Sequence, residues 1–238
     1  MRVPPFKSPI FRQLLEFKSN TYTYILACHK TGEAAIIDPV VDTVSRDVQI
    51  CRDLNLKLLY GINTHVHADH VTGTHKLKSA FPSMQSVLCS KSGGEADKYV
   101  SEGDVIKVGG LKLEVRETPG HTNGCVSYVE HFLKAVFTGD ALLNRACGRT
   151  DFQQGNPSTL YDSVHNKIFS LPDDYLIYVG HNYDGIMQTT VWEEKTLNPR
   201  LTKSKEEFVL FMKDMKLQYP KQIDVAVPAN MKDGKGHE

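Results

Sequence analysis

Short apolar runs alternate with stretches of helical periodicity along most of the 238-residue chain. Runs rich in Val, Ile, Leu and Tyr predict strands, and apolar residues that recur every three or four positions predict helices. The predicted strands cover 21–27, 34–40, 56–64, 86–90, 125–130, 134–140 and 175–181, and a hairpin is predicted over 104–120. The predicted helices cover 44–56, 70–81 and 159–171, with further helical signals over 190–201 and 205–217.

This order of elements predicts a layered α/β fold with mixed sheets. Alternating strands and helices favour sheets that are covered by helices. The hairpin signals, among them the turn at Gly109–Gly110, place antiparallel pairs in these sheets. Because no repeat or long linker interrupts the pattern, we predict one domain over 1–238, with a short extension at 1–10 and a C-terminal helical segment at 190–238.

The net charge of the chain limits the classes of partner that we expect, and its cysteine content indicates whether disulfides form. Lys plus Arg and Asp plus Glu both total 28, so the formal net charge is zero. Nucleic acids and anionic membranes normally demand a basic excess, so neither is expected as the main partner. No apolar run approaches the ~20 residues that span a bilayer. The five cysteines are odd in number and form no CxxC pair, so we expect buried thiols rather than disulfides.

The basic N-terminus leaves two interpretations open. Four basic residues oppose one acidic residue over positions 1–19, as in the remnant of a mitochondrial leader. Three prolines between positions 4 and 9 oppose the amphipathic helix that such a leader forms. A short terminus bound to the protein surface is the alternative.

The segment from Thr64 to His70 has the composition of a metal site. It reads THVHADH and follows an apolar strand. Where the chain is extended, residues two apart point to the same side, so His65 and His67 can converge on one point. Asp69 and His70 follow as the chain turns. Four ligand-type side chains within six residues exceed what one structural histidine requires.

Three further predicted strands end in a ligand-type residue. They run into His121, Asp140 and His181, each directly behind a glycine, where the backbone can bend and approach closely. Imidazole and carboxylate ligands suit zinc, iron or manganese. The other five histidines lack this context and are expected at the surface: His29, His75, His131, His165 and His237.

The spacing by itself suggests two metals. One would be held by His65, His67 and His121, the other by Asp69, His70 and His181, with Asp140 bridging them. Such a pair activates water for hydrolysis.

Longer motifs resemble one family. HxHxDH with the downstream GH, GD and GH is similar to the metallo-β-lactamase superfamily, which includes glyoxalase II. The more specific stretches are IDPV (37–40), NTHVHADHVTG (63–73), TPGHTNGCVSY (118–128), FTGDAL (137–142), CGRTDFQQG (147–155), NPRLT (198–202) and IDVAVPANM (223–231). From about Phe11 to about Met231 they closely resemble the persulfide dioxygenase (sulfur dioxygenase) family, the group of the ethylmalonic encephalopathy protein.

The resemblance implies the metallo-β-lactamase αββα sandwich, with two mixed β-sheets flanked by helices, and one iron(II) per subunit. The metal ligands, which are also the catalytic residues, would be His65, His121 and Asp140. This facial triad leaves three coordination positions open. The remaining candidates would surround it and orient ligands or bound water: His67, Asp69, His70, His181 and Thr122. Because the match is long, we follow it rather than the dinuclear spacing.

The implied reaction is oxidation of glutathione persulfide with O₂ and water to sulfite and glutathione, in sulfide catabolism. The resemblance assigns substrate binding to Arg149, Tyr183, Arg200 and Asn230. Arginine can grip a carboxylate of glutathione, although both arginines could instead tie loops together. A homodimer in the mitochondrial matrix is also implied, with the cytoplasm as the alternative because the leader is short.

Two residues depart from the family pattern. Asn182 stands where an aspartate is expected, and Asn144 where an aliphatic residue is expected.

Two other functions stay open. One alternative is a dinuclear zinc hydrolase of glutathione thioesters, of the glyoxalase II type. The other is a non-catalytic interaction protein. CGRTDFQQG and PANM favour the persulfide dioxygenase, and the intact ligand set argues against the non-catalytic protein.

Overall fold

The first half of the chain builds a six-stranded sheet. The computed structural model describes residues 8–236. The strands are β1 (Ile10–Glu16), β2 (Thr21–Ala27), β3 (Glu33–Ile37), β4 (Lys57–Ile62), β5 (Gln85–Cys89) and β6 (Lys98–Val100). They lie side by side in chain order, with β1 to β3 antiparallel and β3 to β6 parallel.

A second six-stranded sheet packs against the first. Its strands are β7 (Val105–Val108), β8 (Leu111–Glu117), β9 (Val126–Glu130), β10 (Ala135–Gly139), β11 (Leu176–Val179) and β12 (Thr189–Thr190). These strands also lie side by side in chain order, and in this sheet only the β10–β11 pair is parallel. Both sheets are mixed, which confirms the prediction, and β7 and β8 form the predicted hairpin.

Six α-helices complete the described elements. They are α1 (Val44–Asp53), α2 (Thr74–Ala80), α3 (Pro157–Ser163), α4 (Val191–Leu197), α5 (Lys205–Asp214) and α6 (Ile223–Asn230). The helix α3 continues as a π-helical turn over Val164–Ile168. Among the described helices, none is both long enough and apolar enough to cross a bilayer.

The sheets face each other across an aromatic core. Tyr24 of β2 lies 5.1 Å from Phe137 of β10, measured between ring centroids, and its hydroxyl donates to Val179 O of β11 at 2.7 Å. Every residue of β9 and β10 is buried, so both faces of these strands are covered. On the outer face of the first sheet, Val48 of α1 and Leu77 of α2 join a separate apolar cluster. These layers form the predicted αββα sandwich.

Several elements escaped the sequence pattern. The strand β1 is a half-exposed edge strand without clean alternation, and β6 and β12 have only three and two residues. The helix α6 was not predicted, because it contains Pro228 and its apolar run resembles that of a strand. The predicted helix over 70–81 begins only at Thr74, because the preceding residues form a loop.

The cysteines and the remaining histidines can also be placed. All five cysteines are free and buried, as predicted. His75 and His131 are exposed, as predicted, whereas His29 and His165 are partly buried. The ring of His165 stacks on that of Tyr161, with centroids 4.0 Å apart, and this contact covers part of it. Most of the predicted extension at 1–10 and His237 fall outside the described residues.

Candidate metal centre

Seven ligand-type side chains meet at one end of the sandwich. The metal loop, residues 65–70, follows β4 and supplies His65, His67, Asp69 and His70. The other three follow the ends of β8, β10 and β11: they are His121, Asp140 and His181. Strand ends that are far apart in sequence therefore converge on one point, as the spacing predicted.

Three of these side chains form one compact group. One ligand atom each from His65, His121 and Asp140 lies within 4.8 Å of the other two, and all three residues are buried. His121 Nε2 lies 3.6 Å from Asp140 Oδ2. Within the described residues, His65 Nε2 is buried and makes no hydrogen bond. Buried polar atoms normally have a partner, so this donor set fits a bound cation.

Fixed hydrogen bonds orient both imidazoles of this group. His121 Nδ1 lies 2.6 Å from Arg149 O, and a carbonyl can only accept, so Nδ1 carries the proton. His65 Nδ1 lies 3.0 Å from Thr64 Oγ1, whose own proton goes to Asp38 Oδ2 at 2.9 Å. The Thr64 hydroxyl must therefore accept from His65 Nδ1. In both rings Nε2 is left with its lone pair free, which is the state that binds a metal.

A second group lies beside the first. His67, Asp69 and His70 also place ligand atoms within 4.8 Å of one another. His67 Nε2 donates to Asp38 Oδ1 at 3.0 Å, and His70 Nδ1 donates to Asp69 Oδ2 at 2.9 Å. His67 Nδ1 and His70 Nε2 are buried without a hydrogen-bond partner in the described part of the chain.

His181 connects the two groups electrostatically. Its Nε2 lies 3.3 Å from Asp140 Oδ1 and 3.8 Å from Asp69 Oδ2. Burial by itself would lower the pKa of His181, but the Asp140 and Asp69 carboxylates raise it to about 10. Burial would raise the pKa of Asp140, but His181, His121 and His65 hold it well below its usual range. The centre thus keeps Asp140 ionised, as a metal ligand must be.

Glycines allow this close approach. A Cβ on Gly180 would lie 2.3 Å from Asp140 Oδ1, and one on Gly139 would lie 2.3 Å from Thr64 Oγ1. No side chain fits at either distance. The glycines that precede Asp140 and His181 are therefore required by packing, as the sequence pattern indicated.

Thr122 lies next to His121 but makes other contacts. Its hydroxyl contacts Cys125 Sγ at 3.2 Å and accepts from Gly124 N at 3.2 Å. The hydrogen bond to the His121 ring comes from the Arg149 carbonyl instead. In this structure Thr122 shapes the turn after β8 and makes no hydrogen bond to the His121 ring.

A cavity of about 750 Å³ opens onto the metal centre. We call it the entrance cavity; its wall includes Lys18, Asp69, His121, Asp140, Cys147, Arg149, Phe152, His181, Tyr183, Arg200, Tyr219 and Lys221. Its volume is typical of a small-molecule site. Cys147 is packed rather than reactive, because burial raises the pKa of its thiol to about 11.

The two predicted substrate arginines differ in their contacts. Arg149 holds both Asp151 carboxylate oxygens at 2.7 Å and also donates to Gln218 O at 2.9 Å. Arg200 donates to Cys147 O at 2.9 Å and has no carboxylate within ion-pair distance among the described residues. Arg149 thus ties two loops together, and Arg200 is the cation more available to a ligand.

Tyr183 lies on a loop that side-chain amides hold in place. Its ring stacks on His181 with centroids 5.3 Å apart and lines the entrance cavity. Asn144 Nδ2 donates to Ile186 O at 2.7 Å, and Asn182 Oδ1 accepts from Gly185 N at 2.6 Å. The two residues that depart from the family pattern therefore both fasten the loop that carries Tyr183.

Asn230 lies apart from the entrance cavity. It is buried, at 5% exposure, and its side chain bonds the backbone of residues 67–72. This contact set differs from the substrate contact that the resemblance implied.

The sequence pattern missed Asp38 and Thr64 as parts of the site. Asp38 follows β3 directly but stands behind Ile37 rather than a glycine, so the glycine rule did not select it. Its left-handed backbone, with φ of 49°, is unusual for a residue other than glycine. The motif IDPV at a strand end was the available signal.

Comparisons with known proteins relate the chain to one superfamily. The profile of the metallo-beta-lactamase superfamily matches residues 92–181. "Persulfide dioxygenase ETHE1, mitochondrial" of Mus musculus is 55% identical over 94% of this chain and 89% of that protein. Hydroxyacylglutathione hydrolase GloC of Haemophilus influenzae is 33% identical over 71% of this chain and 87% of that protein.

A solved structure extends the likeness to the whole fold. The crystal structure of ETHE1 from Myxococcus xanthus superimposes with a TM-score of 0.92 at 46% identity, and covers 94% of this chain and 99% of that one. The high identity extends over nearly the full length, whereas the hydrolase match is shorter and weaker. The chain belongs to the persulfide dioxygenase family of the metallo-β-lactamase superfamily.

Proposed function

We propose that the protein oxidises glutathione persulfide with O₂ and water to sulfite and glutathione, using one iron(II) per chain. The observation that carries the metal assignment is the group of His65, His121 and Asp140, which places one ligand atom of each residue within 4.8 Å of the other two. Hydrogen bonds at Nδ1 leave the Nε2 lone pair of both histidines free. Two imidazoles and one carboxylate are the facial triad typical of oxygen-using iron(II) enzymes. When bound, iron would supply the redox chemistry that lets O₂ react with a persulfide.

The chain itself binds and orients the substrate. The entrance cavity brings a ligand to Asp140 and His121, and Arg200, which no carboxylate pairs with among residues 8–236, lines the same cavity. A carboxylate of glutathione bound to Arg200 would direct the sulfur end toward the metal centre. The rings of Phe152 and Tyr219, whose centroids are 5.5 Å apart, add an apolar surface to the wall of the cavity.

A dinuclear zinc hydrolase of glutathione thioesters is the second candidate. The observation that favours it is the second group, in which His67 Nδ1 and His70 Nε2 are free of hydrogen bonds within the described residues. The lower identity to the hydroxyacylglutathione hydrolase argues against it.

Location and assembly follow the family in this proposal. The relatives from Mus musculus and Homo sapiens are named mitochondrial, and we propose the mitochondrial matrix for this chain as well. A homodimer is also proposed. Sedimentation of the purified protein would give the assembly state, and imaging of the tagged full-length chain would give the location.

Metal analysis and oxygen uptake test the proposed reaction. The protein is purified without oxygen, its metal content is measured, and glutathione persulfide is added in an oxygen electrode. We expect about one iron per chain and oxygen consumption that depends on the persulfide. Two zinc ions per chain with thioester hydrolysis and no oxygen uptake would establish the second candidate instead.

Asp140→Ala tests the ligand assignment. The variant should remain folded and lose both iron and oxygen uptake. Asp174→Ala is the matched control, because Asp174 is an exposed aspartate paired with Lys134. Wild-type iron content and turnover in the Asp140 variant would contradict the triad.

A further inference from the structure

The C-terminal helix α6 reaches the metal loop through one side chain. Asn230 Nδ2 donates to His67 O and to His70 O, both at 2.8 Å. Asn230 Oδ1 accepts from Thr72 N at 2.8 Å. These contacts cross 158 to 163 positions of sequence and are buried.

The three contacts determine the orientation of the Asn230 amide and engage both its oxygen and its NH₂ group. Carbonyl oxygens only accept, so the NH₂ group must face His67 and His70 while the oxygen faces Thr72. Both N–H groups are then engaged. Because Asn230 is 5% exposed and does not line the entrance cavity, it has no donor directed at a substrate there.

Other contacts fasten the same C-terminal segment to the chain beyond the metal loop. Thr74 Oγ1 donates to Asp233 Oδ1 at 2.7 Å, and Lys78 Nζ pairs with Asp233 Oδ2 at 2.6 Å. Gly234 lies so close to Thr72 that a Cβ would be 2.6 Å from Thr72 O. The segment thus packs on α2 and on the metal loop together.

We propose that Asn230 is a positioning residue that couples α6 to the metal centre rather than a substrate contact. By bonding the carbonyls of His67 and His70, it fixes the path of the loop that presents His65. The proposal rests on the metal centre proposed above. Since coupling is reciprocal, a metal bound at the loop must also stabilise α6. No candidate ligand lies on α6 itself.

Hydrogen exchange measures this coupling directly. Exchange is recorded on the anaerobic protein with and without added iron(II), and peptides covering 65–73 and 223–231 are compared. In the wild type, iron should slow exchange in both peptides. In Asn230→Ala, iron should still slow exchange in 65–73, but the effect on 223–231 should disappear. Val225→Ala, on the exposed side of the same helix, should behave as the wild type.

Iron affinity and kinetics separate positioning from substrate binding. Loss of an outer contact typically weakens metal binding roughly 10–100-fold, so Asn230→Ala should require correspondingly more iron(II) for half-saturation. At saturating iron, its KM for glutathione persulfide should stay within about two-fold of the wild type, because remote substrate contacts are unchanged. A raised KM with unchanged iron affinity would overturn the proposal.

An isosteric variant tests the direction of the hydrogen bonds. Asn230→Asp keeps the size and the acceptor for Thr72 N, but turns two donor contacts into repulsion between oxygens. The Asn230→Asp variant should bind iron at least as weakly as Asn230→Ala. Wild-type iron affinity in this variant would mean that Asn230 only fills space, and it would overturn the proposal. If neither variant folds, the wild-type exchange decides: iron that protects 65–73 but not 223–231 overturns the coupling. No iron uptake by the wild type would instead contradict the metal centre itself.

Discussion

The hydroxyl of Thr64 donates to Oδ2 of Asp38 at 2.9 Å, and this bond decides which nitrogen of His65 is free. Because the hydroxyl has only one proton, it must accept from His65 Nδ1 at 3.0 Å. Asp38 also accepts from His67 Nε2. One buried carboxylate behind β3 thus sets the orientation of two histidines of the metal loop.

Thr64→Val removes this hydroxyl while keeping the side chain's size. His65 would lose the acceptor for Nδ1 and become free to rotate or change tautomer. We expect iron(II) affinity to fall roughly 10–100-fold, as for other lost outer contacts, which a chelator competition would measure. Thr118→Val is the control, since that buried hydroxyl contacts Ser127. Equal affinities in the two variants would contradict the role of Thr64.

Gly180→Ala should disrupt the centre by steric contact. The added Cβ would lie 2.3 Å from Asp140 Oδ1, and the carboxylate would have to move. We expect loss of most bound iron, approaching the Asp140→Ala variant, with the protein still folded by circular dichroism. Gly110→Ala is the control, because there the nearest atom, Cys28 Sγ, is 3.6 Å from the added Cβ. A Gly180 variant with full iron content would show that the Asp140 position is not critical.

Arg200→Ala should raise the KM for glutathione persulfide more than it lowers kcat. A hydrogen bond to a charged group is worth ~1.5–3 kcal/mol, which corresponds to roughly 10–100-fold in KM. Remote binding contributes nearly equally to the ground state and the transition state, so kcat should change little. Lys213→Ala removes the same charge from α5 outside the cavity wall and serves as the control. An unchanged KM would remove Arg200 from the substrate site.

Glu16 should contribute stability that depends on pH. Glu16 is 5% exposed, and its carboxylate accepts from Lys18 N and Ser19 N, both at 2.7 Å, in the turn before β2. Burial by itself would raise the pKa of Glu16, but the hydrogen bonds from Ser19 and Lys18 lower it. A lowered folded-state pKa means that this stability is present above the unfolded pKa and is lost as the pH falls through the folded one.

Glu16→Gln should therefore unfold more easily at pH 7 by about 1–3 kcal/mol. The difference from the wild type should shrink at acidic pH, because the wild-type carboxylate becomes protonated there. Urea unfolding of both proteins at neutral and acidic pH measures it. Glu206→Gln, the same substitution at an exposed glutamate of α5, is the charge control. A difference that is equal at both pH values would contradict the ionised hydrogen bonds.

The sequence by itself determined the order of most elements and the candidate ligands. Apolar runs and alternation located nine of the strands that form the two sheets, because burial of one or both strand faces requires apolar side chains. A ligand-type residue directly behind a glycine at three strand ends predicted His121, Asp140 and His181, since close backbone approach needs glycine. The longer motifs identified the family, which the 55% identity to the Mus musculus protein confirms.

Only the tertiary structure decided how these residues divide into groups. The dinuclear spacing placed His67 with His65 and His121, whereas the structure groups a ligand atom of Asp140 with those of His65 and His121 and turns His67 Nε2 toward Asp38. Asn230 lies 163 positions from His67 in sequence, and no local pattern shows that they touch. Local periodicity reports which face of an element is buried. Hydrogen bonds between distant strand ends depend on how the two sheets pack, and that packing is set by the whole chain.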